Sequence, residues 1–323
     1  MKLPFEFGVK LFFRLVLPGF FLALGFSPVL FTLTDSVALS GQKEFALILL
    51  TILMGWLIIV LDMPIYMLFE GRRYWPDSVR KYFLHLEQKR LKRIKSKIPI
   101  AEPKERKDYQ DYLEASVEIR KFPFNERGYY RALFPSRLGN LIYAYELYSD
   151  ERYGMDVAFY WPRIWVKLDK DLREEMDNQQ ALADSAVYTS FASIMAGILW
   201  LVYSALSTYS VTVVKYIPSA GLSWAIAFVF LILGFCFYRA SIHIYGQYGE
   251  SFKAIIDVYG KDIDVSDVVM QVDKLLKRPA SVHDRQEELF IAWRYLHNYS
   301  VKCPSCGKVM PVPEVSKHHC GFS

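Results

Sequence analysis

The sequence predicts an all-α integral membrane protein with two transmembrane hairpins, a mainly helical cytosolic domain and a small zinc-ribbon-like tail. Three observations predict it. Four apolar stretches, 11–33, 45–69, 187–209 and 224–245, each reach the roughly 20 residues that a helix needs to cross a bilayer. Almost all ionisable residues lie between the second and third stretches or after the fourth. The tail carries a C-P-S-C-G knuckle, Cys303 to Gly307, with histidines and a further cysteine beyond it. The expected divisions are a lead-in and first hairpin (1–69), a basic, aromatic cytosolic domain (70–185), a second hairpin (186–245), and helices that end in the knuckle (246–323).

Met1 to Lys10 reads as a short interfacial lead-in with Phe5 and Phe7. It is not a removable signal, because the apolar run that follows is longer than a signal h-region and lacks a small-residue cleavage site. Inside each hairpin the loop carries one basic residue, Lys43 or Lys215, whereas the stretch after the second span opens with Arg72, Arg73, Arg80 and Lys81. Loops rich in Lys and Arg stay in the cytoplasm, so both termini and the middle segment are expected there. Arg14 and Asp62 fall toward the cytoplasmic ends of their spans, and charges at that depth need partners or water, so either the two pair across the first hairpin, the favoured reading, or Asp62 lines a hydrated vestibule.

A formal net charge of +5 hides a local concentration, since residues 70–110 hold thirteen Lys or Arg against six Asp or Glu. Val79, Phe83, Leu86, Leu91, Ile94 and Ile98 mark one apolar face of a helix that opens near Asp77 and stops before Pro99. Such a basic amphipathic helix suits either anionic membrane lipid or a polyanionic ligand. A second helix is predicted over 104–120. The chain then interleaves arginines with aromatics: Arg127, Arg131, Arg137, Arg152 and Arg163 alternate with residues such as Tyr143, Tyr153 and Trp161. Guanidinium forks take phosphates and aromatic faces stack on bases, the combination found in single-stranded nucleic-acid sites. The same residues also suit the core of a small domain, where Arg stacks on rings without any ligand.

Lys170 to Ser185 lacks helix breakers and runs directly into the third span, which predicts one continuous helix. On that span Thr189, Ser193, Gly197, Ser204 and Thr208 keep near one face. A small, hydroxylated stripe lines a pore or lets two helices approach closely. Four spans are few for a private aqueous path, so the pore use calls for a homo-oligomer. After the fourth span, Ser266 to Arg278 predicts a short helix halted by Pro279, and Ser281 with Asp284 predicts a capped start for another. In the tail, Cys303 and Cys306 with Cys320 and either His318 or His319 suit a structural zinc ion. A disulfide framework is not expected in a chain that faces the cytosol. No H-E-x-x-H, G-x-S-x-G or Walker loop occurs, so an enzyme is not expected.

The segments Arg137-Leu138-Gly139-Asn140, Glu151-Arg152-Tyr153-Gly154-Met155-Asp156 and Trp161-Pro162-Arg163 resemble a pattern in uncharacterised bacterial proteins with two hairpins around a cytosolic domain. The resemblance implies the bacterial inner membrane and brings no established activity; Asn140, within it, is counted among the candidate ligand-binding residues. The layout is also similar to membrane effectors of bacterial anti-phage systems, of the Hailong type, in which a cytosolic domain binds a nucleotide or oligonucleotide signal and controls a channel. That likeness implies a ligand-gated channel or membrane-disrupting effector. The alternatives are a non-conducting scaffold that recruits a cytosolic partner protein and, in third place, an integral-membrane enzyme.

Overall fold

The computed structural model describes residues 10–36, 42–98, 106–123, 132–208, 215–277, 283–303 and 305–318. These are helical apart from connecting turns and one two-stranded sheet near the C terminus. The chain divides into two compact units. The first comprises Met1–Lys121, Leu133–Ile142 and Glu174–Tyr248; the second comprises Phe122–Ala132, Tyr143–Arg173 and Gly249–Ser323.

A π-helical turn at Phe12–Val16 leads into α1 (Leu17–Ser36), which is followed by α2 (Lys43–Val60), α3 (Asp62–Glu70), α4 (Asp77–Ser96) and α5 (Arg106–Ile119). Then come α6 (Arg137–Tyr153), α7 (Val157–Lys167), α8 (Lys170–Thr208) and α9 (Ala220–Tyr259). Four helical segments are long and apolar enough to cross a membrane: Phe12–Ser36, Lys43–Val60, Lys170–Ser207 and Ala220–Asp262. They coincide with the four expected stretches, with one difference. The second stretch is two helices, because the Pro64 ring has no N–H to offer the Val60 carbonyl and clashes with it, so α2 stops and α3 restarts at Asp62.

α1 and α2 pack along their length and come closest at Gly19 and Gly55, where a Cβ would collide with the other helix's backbone. The far side of α2 exposes Phe45, Ile48, Leu49, Ile52, Leu53 and Trp56, a continuous apolar surface of the kind a bilayer solvates. α8 and α9, at 39 and 40 residues, run without a break from polar into apolar sequence. Each spans about 60 Å, roughly twice the hydrocarbon thickness of a bilayer. At the end of α3 the chain meets the start of α6. Ser136 caps that helix, its Oγ accepting from Gly139 N at 2.9 Å, and a Cβ at Gly139 would strike the Glu70 carbonyl.

In the second unit α7 is capped by Asp156, which accepts from Phe159 N at 2.9 Å, and it buries Phe159, Tyr160 and Ile164 on one side. The Tyr160 hydroxyl donates to the Leu289 carbonyl at 2.5 Å, tying α7 to a later helix that follows α10 (Ser266–Leu275), namely α11 (Arg285–Asn298). α10 ends three residues before the expected Arg278. α11 is capped by Asp284, whose carboxylate accepts from Glu287 N at 2.8 Å; Pro279 and the expected cap Ser281 lie outside the described residues. β1 (Ser300–Lys302) and β2 (Val309–Pro311) pair antiparallel with Val301 opposite Met310. Both side chains are buried with Val272 and Cys303.

Candidate functional site

The hairpin β1–β2 builds the first candidate site. Cys303 N donates to the Lys308 carbonyl at 2.8 Å and Gly307 N donates back to the Cys303 carbonyl at 2.9 Å, a tight turn that needs Gly307 at φ +71°. The turn carries Cys306 back beside Cys303, and Cys306 Sγ lies 3.3 Å from His318 Nε2. One ligand atom from each of Cys303, Cys306 and His318 falls within 4.8 Å of the others, so the group can hold a metal ion. Cys320 and the alternative ligand His319 lie outside the described residues.

The arginine and aromatic candidates divide between the units. Arg127 and Arg131 lie outside the described residues. In the first unit Asn140 is buried: Nδ2 donates to the Phe134 carbonyl (3.0 Å) and Glu87 Oε2 (3.3 Å), and Oδ1 accepts from Phe134 N (2.8 Å). Arg137 faces the same Glu87 at 3.8 Å. In the second unit the Tyr148 and Tyr153 hydroxyls donate to Asp257 Oδ1 at 2.7 and 2.6 Å. Burial, with the Asp257 carboxylate beside them, pushes both phenols above their ordinary range. Trp161 packs on Phe252 with ring centroids 4.5 Å apart. The Arg163 guanidinium lies 3.6 Å above the Phe159 ring and donates to the Phe159 carbonyl. Tyr143 is half-buried, and Arg152 and Arg163 are exposed. The rings of Tyr153 and Trp161 and the Arg163 guanidinium are thus engaged within the unit.

A third cluster lies inside the apolar helices, and here the expected pairing of Arg14 with Asp62 is corrected. Arg14 Nη2 pairs with Asp184 Oδ2 at 2.7 Å. Asp184 Oδ1 accepts from the hydroxyls of Tyr66 (2.5 Å) and Tyr245 (2.9 Å), which also touch each other. Asp62 Oδ1 accepts from Tyr188 at 2.7 Å. The Tyr66 ring meets the Tyr188 and Tyr245 rings edge-on, each 6.1 Å between centroids. This polar cluster draws residues from all four apolar helical regions. Tyr66, Asp184, Tyr188 and Tyr245 escaped the sequence reading. Their available signal was Asp184 and Tyr188 one helical turn apart where the charged stretch enters the third apolar segment. At the opposite end Asp35 binds Lys43 (2.9 Å), Lys215 (3.1 Å) and the Tyr216 hydroxyl (2.5 Å).

The small stripe of α8 faces inward. Thr189, Ser193 and Ser204 are fully buried within the single chain. Ser204 Oγ donates to the Ala220 carbonyl at 3.2 Å, and the neighbouring Ser190 donates to the Gly234 carbonyl at 2.8 Å. A Cβ at Gly197 would crowd Leu231, so Gly197 lets α8 approach α9 closely. Thr189 Oγ1 and Ser193 Oγ have no hydrogen-bond partner among the described residues. Thr208 is helical, and its side chain is not described. In this conformation the stripe is a helix-packing face. No known protein family, characterised protein or solved structure matches the chain.

Proposed function

We propose that the chain is a membrane effector of the bacterial inner membrane, with both termini in the cytoplasm. An anionic nucleotide or oligonucleotide, received by the arginine-rich polar regions, opens a bundle that the Arg14–Asp184 cluster holds closed. The observation that carries this reading is the course of α8 and α9. Both helices are unbroken, and the polar cluster takes Asp184 and Tyr188 from one and Tyr245 from the other, where each passes from polar into apolar sequence. A shift of either helix as a rod acts directly on that cluster. Asp184 is buried and Arg14 is half-buried, so parting them leaves a carboxylate that must find another partner or water.

Conduction requires Thr189, Ser193 and Gly197 to part from α9, with copies of the chain enclosing the path they line. Thr189 Oγ1 and Ser193 Oγ, without a hydrogen-bond partner among the described residues, are hydroxyls that water in an open path would bond. We assign the metal of the tail to zinc, held by Cys303, Cys306, His318 and Cys320. Four protein ligands leave no open position for catalysis, so the ion would staple the tail.

Flux from potassium-loaded liposomes containing the full chain tests the reading. Adding a mixed-sequence single-stranded DNA oligonucleotide should start flux, and rising salt should weaken the response because phosphate contacts release counterions. Silence from inserted, folded protein, together with no oligonucleotide binding at low salt, would refute it.

A further inference from the structure

A groove of about 390 Å³ opens on the first unit. One wall is formed by Ile194 of α8 and by Leu231 and Phe235 of α9. Its other end is formed by Leu68, Trp75 and Phe83, with Ser136 and Tyr238 beside them. From Leu231 to Tyr238 the wall runs about 10 Å along α9, out of the apolar core toward polar sequence. Trp75 donates from Nε1 to the Leu68 carbonyl at 2.7 Å, the posture of an interfacial tryptophan with its polar edge engaged and its ring on apolar surface.

Two arginines adjoin the lining in sequence. Arg137 follows Ser136 in sequence and Arg239 follows Tyr238. Burial, and the like charges of Arg90 and Arg239, lower the Arg137 pKa, while Glu87 opposes them. Arg72 lies 5.1 Å over the Phe134 ring and pairs with Glu70. Glu70 pairs with Arg72, Glu87 faces both Arg90 and Arg137, and Glu118 also pairs with Arg90, so three carboxylates lie among these four arginines. Arg239 is exposed and has no carboxylate within ion-pair distance among the described residues. α6 also starts here; Gly139 N already donates to Ser136 Oγ, and the helix dipole alone adds to the positive field.

We propose that this groove binds one anionic phospholipid of the surrounding bilayer, with an acyl chain against Ile194, Leu231 and Phe235 and the phosphate between Arg137 and Arg239. An apolar slot whose lining residues Ser136 and Tyr238 are each followed by an arginine is complementary to a molecule with a hydrocarbon chain on an anionic head. A free phosphate would leave the slot uncovered, and an apolar helix from a second copy would leave the arginines unmatched. The proposal rests on membrane insertion and not on signal binding or conduction, so a failed flux experiment leaves it standing.

The test uses the full-length protein in phosphatidylcholine vesicles doped with phosphatidylglycerol or phosphatidylcholine that carries a diazirine in one acyl chain. Peptide mapping after illumination should place phosphatidylglycerol adducts on residues 68–83 and 231–238, at least about fivefold above phosphatidylcholine. Adducts on the exposed face of α2, around Ile48 and Ile52, should show no headgroup preference, and they report insertion. The double variant Arg137→Gln, Arg239→Gln should lose the preference at the groove and keep the α2 adducts. If that variant fails to insert, the wild-type headgroup ratio decides alone. Equal labelling of the groove by both lipids, or a cross-link there to a second copy of the chain, would overturn the proposal.

Discussion

Asn140 holds the turn before α6 by both backbone groups of Phe134 and reaches Glu87 as well, so its side chain is a structural clamp on buried polar atoms. Asn140→Ala strands those atoms at about 1–3 kcal/mol each, and thermal unfolding in detergent should fall by several degrees. An unchanged transition would show that the clamp is dispensable. His283 is buried between Asp273 (3.1 Å) and Glu287 (3.2 Å). Burial opposes its charged form, but the hydrogen bonds to Glu287 and Asp273 prevail and hold its pKa above the ordinary 6.5. A raised histidine stabilises the fold fully below its unfolded value near 6.5, and that contribution is lost as pH rises through the folded value. Unfolding scans from pH 5.5 upward should therefore show a loss of stability that His283→Gln flattens; parallel curves for the two proteins would contradict this. Ser204 sits fully buried on the α9 carbonyl of Ala220, so Ser204→Leu overpacks the contact by about 1–3 kcal/mol. Expression should drop, whereas Val202→Leu at an exposed position should be tolerated.

Single elements differ in how much of them the sequence makes visible. The four apolar helices, the α4 helix from Asp77 and the Cys303–Cys306 knuckle depend on local composition and spacing, and each is legible from a short window. The break at Asp62 was also local, carried by Pro64, but a long apolar run masks a single proline. Contacts across the chain are different. Arg14 has a carboxylate closer in sequence at Asp62, yet it pairs with Asp184, and only the packing of α1 against α8 decides between them. The stripe of α8 has the same periodicity whether it faces water or α9, so the sequence leaves both uses open until Gly197 is seen against Leu231. Likewise nothing in the order of aromatics marks Tyr153 as a partner of Asp257 or Trp161 as a partner of Phe252. α8 also yields a prediction of its own. Asn178→Pro, at an exposed position in the polar half, should break the helix at a cost of about 3 kcal/mol. Oligonucleotide binding and membrane insertion should survive while flux is lost. Retained flux would remove α8 as the link.

At the scale of the whole molecule, α8 and α9 each run unbroken between polar and apolar sequence. A ligand shifts such a system only through its different affinity for the closed and open arrangements. Under the proposed function the closed arrangement is held by something the ligand can oppose, and the cluster of Arg14, Asp184, Tyr66 and Tyr245 has contacts from every apolar helical region. The measurement that tests this most directly is basal flux, without oligonucleotide, from liposomes containing wild type, Arg14→Gln or Asp184→Asn at matched insertion. The account predicts a tight wild type and two variants that leak without ligand. Variants that insert normally and stay as silent as wild type, with and without oligonucleotide, would contradict it.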